Sequence, residues 1–191
     1  AQREAHVVLH RPGVSFQQLQ FSARGEMGVL SDVNGWLQPY RVVAGELVAF
    51  LAASEQVECG NPQWGMGAHT WCWSPDATEI AVARNLQGFG DLVVVSVLSG
   101  EMRSLGRGVH GSLLWSNAGI FALRTGAVTP TQLVQYAAQT FEREILATSE
   151  VDSSGGAWSQ YQLVEPTLGA VECGNYNIPY RLYSPVGSET L

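Results

Sequence analysis

Lysine is missing from this sequence, and charged residues of either sign are scarce. All ten basic residues are arginines, charged residues make up 14% of the chain, and the formal net charge at pH 7 is −7. Without lysine there is no P-loop lysine, no Schiff-base lysine and no lysine general base. The arginines form no basic run that would follow a phosphate backbone, so we expect no nucleic-acid partner.

Cysteines and long apolar runs are also scarce. Cys59, Cys72 and Cys173 are odd in number and show no C-x-x-C spacing, so neither a disulfide framework nor a structural zinc site is expected. Reduced thiols indicate a reducing compartment, and we predict a cytoplasmic protein. No apolar run approaches the ~20 residues that span a bilayer, and the first residues lack the layout of a signal peptide. We therefore expect no association with a membrane.

Motifs for cofactors and metals are incomplete. The glycine spacings at Gly65 and at Gly88 stop short of G-x-G-x-x-G, so we read them as turns and predict no cofactor. His69 and His110 have no Cys, Asp or Glu at useful ligand spacing, so we predict no metal site. The alternative to a catalytic or metal-binding role is that each histidine is exposed or hydrogen-bonded in a loop.

What the sequence does contain is a repeat, in which a strand ends in an aromatic residue, a polar turn follows, and a small apolar strand comes next. The three copies are Phe21–Gly25 before Met27–Leu30, Trp73–Ala77 before Ile80–Ala83, and Trp115–Gly119 before Ile120–Leu123. The aromatic positions lie 52 and then 42 residues apart. A period near ~40–45 residues is what one four-stranded propeller blade consumes. Asp76, in the second turn, is interpreted as an Asx-turn residue that caps its own backbone.

The second and third repeats show the whole cycle of four strands. We predict strands at 71–74, 80–84, 91–98 and 101–105, with a turn over 85–90, and then at 112–115, 120–124, 132–138 and 142–148. One stretch also fits a helix, because apolar residues recur there every four residues, as in an amphipathic helix. They are Leu133, Ala137, Phe141 and Ile145. We prefer two strands there because the repeat requires them. Trp71, Trp73 and Trp115 fall at strand positions and are predicted to pack between blades.

The sequence therefore predicts an all-β fold, a partial β-propeller of about three four-stranded antiparallel blades. The blades occupy about residues 14–64, 66–107 and 109–149 within a region 1–157, and residues 158–191 supply final strands. Closure normally needs at least ~4 blades. We therefore expect the apolar faces at the two ends of the row to be covered by another copy of the chain, by the rest of a parent protein or by a partner.

Several motifs resemble the propeller of prolyl oligopeptidase-family peptidases, most closely the acylaminoacyl-peptidase and dipeptidyl-aminopeptidase-like branch. They are Ser31–Trp36 with Tyr40-Arg41, the segment Glu58–Gly67, the W-S-P-D turn with Ser99–Glu101, and Ile178–Pro185. The sequence departs from the family pattern at Phe21, where tryptophan is usual, and at Ala77, where glycine is usual.

The resemblance implies a non-catalytic role. In that family the nucleophile lies on a G-x-S-x-G elbow in a C-terminal α/β-hydrolase domain, and this sequence contains no such elbow. The resemblance thus implies the propeller portion of a serine peptidase, which gates or binds peptide substrate, with residues 158–191 leading toward an absent hydrolase domain. Its expected partners are a peptide substrate or that hydrolase domain.

Three residues are predicted to bind substrate: Glu58, Trp64 and His69. Glu58 and Trp64 flank a loop of Gly, Asn and Pro, and loops carry function more often than strands do. The alternative is a structural loop between blades, with Trp64 packed. Two other functions stay open, namely a stand-alone propeller-like scaffold that binds a protein or ligand, and an independent hydrolase with an unfamiliar site.

Overall fold

The computed structural model describes residues 5–52, 56–62, 67–149 and 163–185. These residues form fourteen β-strands and no helix, and each strand pairs antiparallel with a strand next to it in sequence. Twelve strands form three four-stranded sheets, and the last two form a hairpin. The predicted all-β fold of three four-stranded antiparallel blades is confirmed.

In each blade the spatial order of the strands is their order along the chain. Blade 1 consists of β1 (Phe16–Phe21), β2 (Met27–Ser31), β3 (Gln38–Val43) and β4 (Glu46–Ala49). Blade 2 consists of β5 (Trp71–Trp73), β6 (Glu79–Leu86), β7 (Phe89–Ser96) and β8 (Met102–Arg107). Blade 3 consists of β9 (Val109–Ser116), β10 (Gly119–Gly126), β11 (Thr129–Ala137) and β12 (Arg143–Thr148). The hairpin consists of β13 (Thr167–Cys173) and β14 (Tyr176–Leu182).

The turn between β5 and β6 is the predicted Asx turn. The Asp76 carboxylate accepts hydrogen bonds from the Ser74 hydroxyl at 2.7 Å, the Thr78 hydroxyl at 2.8 Å and the Thr78 amide at 3.1 Å. These bonds lower the pKa of Asp76, and the bond from Ser74 has the largest effect. Ala77 has φ +58°, a left-handed conformation that favours glycine, and this explains why glycine is usual at that position in the family the sequence resembles.

The predicted turn over 85–90 is too long. The structure continues β6 to Leu86 and begins β7 at Phe89, so only Gln87 and Gly88 form the turn. Both have positive φ, at 49° and 87°, which is the geometry of a two-residue hairpin turn that matches the twist of the strands. Asn85 therefore lies within the ladder, where it pairs with Gly90.

Residues 131–149 form two strands rather than a helix, as the repeat predicted. Val134 and Tyr136 alternate with more exposed neighbours on β11 and are fully buried. Leu133 and Ile145, two members of the four-residue spacing, are exposed. The helical spacing does not correspond to a buried stripe, because the alternation of a strand decides which residues face the core.

Blade 2 is covered on both faces, and this explains why the middles of β6 and β7 are continuously apolar and buried. Successive side chains on a strand point to opposite faces, so Ile80 and Val82 pack toward blade 1 whereas Ala81 and Ala83 pack toward blade 3. Trp71 and Trp73 lie in the first of these interfaces, as predicted. The buried members of the blade 1–blade 2 core are Leu30, Phe50, Leu51, Val57, Cys59, Trp71, Trp73, Ala77, Ile80, Val82, Val93 and Val95. Those of the blade 2–blade 3 core are Cys72, Ala81, Ala83, Leu92, Val94, Leu113, Ile120, Ala122, Val134 and Tyr136.

The first strands of blades 2 and 3 take part in the contacts between blades. Contacts join β1 to β5, and β9 contacts β5, β6 and β7, whereas β12 is exposed along its whole length. At the inner contact Gly28 lies against Trp71, since a Cβ built on Gly28 would be 3.2 Å from two carbons of the indole ring. Neighbouring blades thus pack against each other through contacts that include their first strands.

The face of blade 3 that points away from blade 2 is apolar and open. Leu123 pairs with Leu133 across β10 and β11, and both are exposed, as is Leu114 on β9. Trp158 follows Trp115 by 43 residues, the spacing of a degenerate fourth repeat, and it lies outside the described residues. Within the described part of the chain, no helix has the length and apolar character needed to cross a membrane.

Candidate functional site

Blades 2 and 3 and the hairpin meet at one end of the sheets and enclose an open cleft of ≈ 540 Å³. The β6–β7 turn, the link between blades 2 and 3 at Gly108, and the β10–β11 turn line one side, and Arg181 and Tyr183 line the other. We call it the arginine cleft, after Arg107, Arg124 and Arg181, which line it together with Phe89. Thr125 and Thr129 add hydroxyl groups to its wall.

Two glycines allow blades 2 and 3 to approach each other beside the cleft. The Gly108 amide donates a hydrogen bond of 2.9 Å to the carbonyl of Gly90. A Cβ built on Gly90 would be 2.7 Å from the carbonyl carbon of Gly108 and 2.8 Å from the Cα of Val109. Real Cβ atoms do not approach backbone so closely, so the contact requires glycine at position 90.

Two guanidinium groups lie near one aromatic ring in the cleft. The guanidinium carbon of Arg107 is 4.1 Å from the centroid of the Phe89 ring, and that of Arg181 is 5.9 Å from the same centroid. Both arginines are exposed and Phe89 is half-buried. Cation–π contacts of this kind hold a guanidinium in place and leave its N–H groups free to donate.

Arg124 is held more firmly than the other two arginines. Its Nε and Nη2 donate to the carbonyl oxygen of Arg107 at 3.2 and 3.0 Å, and its Nη1 donates to Oε1 of Gln132 at 3.3 Å. Burial, followed by repulsion from Arg143, lowers the pKa of Arg124. The cleft therefore concentrates positive charge in a chain whose net charge is −7.

Behind the cleft, His110 and Tyr136 form a buried polar pair. His110 Nδ1 lies 2.8 Å from the carbonyl of Gly108, and Nε2 lies 2.8 Å from the Tyr136 hydroxyl. A carbonyl can only accept, so Nδ1 carries the proton and Nε2 accepts from the hydroxyl. Burial lowers the pKa of His110 to about 4. The neutral ring has both nitrogens engaged, so it stabilises the link between blades and has no free nitrogen for catalysis. His110 lies on β9, not in the loop that the sequence led us to expect.

Glu58 lies nearby, at a smaller cavity of ≈ 70 Å³ that Arg84, Asn85 and His110 also line. Its carboxylate accepts hydrogen bonds from the amide of Gly60 at 3.2 Å and the amide of Leu37 at 3.4 Å. Desolvation raises the pKa of Glu58, although these two bonds oppose the shift. Its backbone bridges to Asn85, whose amide donates to the Glu58 carbonyl at 2.7 Å. The half-buried carboxylate is thus fixed between blades 1 and 2.

The other two residues predicted to bind substrate are Trp64 and His69. Trp64 lies outside the described residues. His69 is exposed; its Nδ1 lies 3.5 Å from the Gln20 amide nitrogen, and its carbonyl accepts from the amide of Leu113 at 2.9 Å. His69 does not line either cavity described above. Across residues 5–52, 56–62, 67–149 and 163–185, no three His, Cys, Asp or Glu side chains are grouped closely enough to hold a metal ion.

The fold is that of the propeller part of known peptidases. The chain is similar to puromycin hydrolase, both alone and in complex with PGG, at 18% identity with a TM-score of 0.74. It is also similar to a puromycin-hydrolyzing peptidase of Mycobacterium tuberculosis, at 18% identity with a TM-score of 0.68. These solved structures are of the prolyl oligopeptidase family, which the sequence motifs resemble. At this level of identity the likeness shows the fold.

The likeness covers most of this chain but a small part of the others. It covers 91% of this chain and 26% of one puromycin hydrolase structure, and 82% and 23% in the mycobacterial comparison. This chain therefore spans about a quarter of the length of the proteins it matches. No protein-family model and no curated protein sequence matches it.

Proposed function

We propose that this chain is the non-catalytic propeller portion of a prolyl oligopeptidase-family serine peptidase, and that it gates or binds the peptide substrate. The observation that supports the proposal is the likeness of 91% of the chain, with a TM-score of 0.74, to one part of puromycin hydrolase. The motifs at Ser31–Trp36 and Glu58–Gly67 resemble the same family. The absence of a G-x-S-x-G elbow from the sequence agrees with a non-catalytic role.

The proposal divides the chain into blades within residues 1–157 and final strands within 158–191 that lead toward an α/β-hydrolase domain. Tyr183 follows β14 directly and lines the arginine cleft. Under this division the hydrolase domain is a neighbour of the end of blades 2 and 3 that carries the cleft. A substrate would then pass the side chains at that end.

Within this function we propose Glu58, Trp64 and His69 as substrate-binding residues. The support is strongest for Glu58, because its carboxylate is held by two backbone amides and borders a cavity. In the complete product of the reading frame, Glu58→Gln should raise KM for a peptide substrate about tenfold with kcat little changed, the result of losing uniform binding. Glu101→Gln, at the far end of blade 2, is the matched control and should change neither constant.

The proposal is tested by fluorophosphonate labelling and by hydrolysis assays. The complete product of the reading frame should incorporate the probe at one serine and hydrolyse puromycin or aminoacyl amides. The 191-residue chain should do neither. A complete product without a reactive serine would refute the peptidase assignment and favour the stand-alone scaffold. Labelling of the 191-residue chain itself, abolished by one substitution, would refute the non-catalytic role.

We also propose a cytoplasmic location, and further blades of a longer chain as the cover of the open blade faces. Cys59, Cys72 and Cys173 are not in disulfides, and the first two are buried, which fits a reducing compartment. Burial raises the pKa of Cys72 to about 12, so this thiol is unreactive. Fractionation of cells should recover the protein with cytoplasmic markers. Recovery in the periplasm or culture medium would contradict this location.

A further inference from the structure

We propose that the arginine cleft is a binding site for a peptide carboxylate. The inference rests on the geometry of the cleft and does not depend on the peptidase assignment. Arg107, Arg124 and Arg181 come from two blades and the hairpin, so sequence neighbours do not create the cluster; the fold does. Guanidinium groups are the side chains that recognise carboxylates by paired, charge-assisted hydrogen bonds.

The three cleft arginines form no ion pair within the described part of the chain. The ion pairs found there join Arg11 to Glu46, Arg41 to Glu26 and Arg84 to Asp91. None involves the three cleft arginines. Asp91, which pairs with Arg107 across β7 and β8, already accepts from Arg84 at 3.2 Å and from the Ser104 hydroxyl at 2.7 Å.

The arginines are also positioned in advance of any ligand. Phe89 supports the guanidinium groups of Arg107 and Arg181 on its ring, and the carbonyl of Arg107 fixes Arg124 through two N–H groups. Ordering long side chains beforehand removes part of the entropy cost of binding. A carboxylate in the cleft would therefore meet oriented guanidinium donors.

One acidic residue belongs to the same cleft. Glu165 lies at its rim and is exposed. Its carboxylate offers the same chemistry as the ligand and would compete with it for the guanidinium groups. Removing this charge by Glu165→Gln should therefore tighten the binding of an external carboxylate several-fold.

The ligand can be a chain terminus or an acidic side chain, and calorimetry of the 191-residue chain separates these sources. The probes are N-acetyl-trialanine as the free acid, the same peptide as its amide, acetyl-Ala-Asp-Ala amide, and sodium phosphate. We expect the free acid to bind and the trialanine amide to bind at least about tenfold more weakly. Equal binding by the Asp-containing amide supports the carboxylate site and assigns an acidic side chain as a second ligand. Phosphate binding as tight as the acid would overturn the peptide assignment.

The variants are matched within one strand. Arg107→Gln and Arg181→Gln should each weaken binding of the free acid about tenfold or more. Arg103→Gln is the control, because Arg103 stacks on Phe141 at 4.1 Å, the same distance as Arg107 on Phe89, but at the other end of β8. Binding of the acid should also weaken as salt is raised, by screening.

Three further results would overturn the proposal. They are no binding of the acid at millimolar concentration, equal binding of acid and amide, and equal loss in Arg103→Gln and Arg107→Gln. If a glutamine variant fails to fold, an NMR titration of the original chain takes the place of that variant. The titration follows the amide resonances of Gly88, Gly90 and Gly108. These amides should move with the acid and not with the amide peptide. The failure of this test leaves the serine-labelling experiment unaffected, so the two proposals fail separately.

Discussion

The close contact between Gly90 and Gly108 gives a quantitative prediction for Gly90→Ala. The added methyl group would collide with the carbonyl group of Gly108 and the Cα of Val109, all backbone atoms that cannot rotate away. Overpacking of this kind costs about 1–3 kcal/mol. Separating the strands also weakens the 2.9 Å hydrogen bond from Gly108 to Gly90, worth about 1 kcal/mol. We expect Gly90→Ala to lower the free energy of unfolding by about 2–4 kcal/mol.

Urea unfolding followed by tryptophan fluorescence measures this loss, and a thermal melt should show a fall in Tm of about 5–15 °C. Gly111→Ala is the control, because a Cβ built on Gly111 meets no atom within 4 Å. Its effect should stay within about 0.5 kcal/mol. Equal stabilities for Gly90→Ala and Gly111→Ala would refute the close approach of blades 2 and 3. Gly90→Ala should also weaken carboxylate binding, since it displaces the link that ends in Arg107 and Gly108.

The other predictions concern the buried histidine, the blade interface and the open face. The pKa of His110 falls from 6.5 to about 4 on folding, so the unfolded chain binds the proton first and stability is lost as pH falls through this window. The loss should reach about 3 kcal/mol by pH 4. Urea titrations from pH 7 to 4 measure it, and a His110→Gln chain with an unchanged pH dependence would contradict the assignment. Trp71→Ala should cost about 3–5 kcal/mol because the indole is fully buried between blades. The exposed Trp36, mutated in the same way and unfolded in the same assay, should cost under about 1 kcal/mol; similar losses would argue against the interface. The isolated chain should self-associate or bind an apolar dye through the open face of blade 3, and Leu123→Glu should reduce both in light scattering and dye assays. A well-behaved monomer with a cooperative melt would contradict this.

The blade architecture could be predicted because the repeat combines several local signals. Trp73, Asp76 and Ile80 each occupy the position that a strand end, a turn or a buried strand requires, and the same order recurs 42 residues later. Where periodicity alone was used, at residues 131–149, it also fitted a helix. The repeat correctly assigned two strands to this stretch, because the order of strands and turns in one blade recurs in the next.

The arginine cleft could not be predicted in the same way. Arg107, Arg124 and Arg181 are separated by 17 and 57 residues, and nothing in their immediate sequence marks them as neighbours. They meet because the ends of β8, β10 and β14 meet. Arg107 ends β8, and Arg124 lies two residues before the end of β10, but the predicted strand at 101–105 stopped short of Arg107. The loop residue Glu58 was noticed because it borders Gly and Pro, whereas the cleft arginines lie on regular strands.

The order of strands within each blade has a consequence for how the chain folds. Each strand pairs with strands adjacent to it in sequence, so no ladder has to close a loop longer than a single turn. Such local ladders form quickly, and a growing chain can complete one blade before the next is synthesised. The contacts between blades, at Trp71 and at Gly90, join parts of the sequence that are farther apart. Cooperativity therefore resides in these two interfaces, and in the order of assembly they come last.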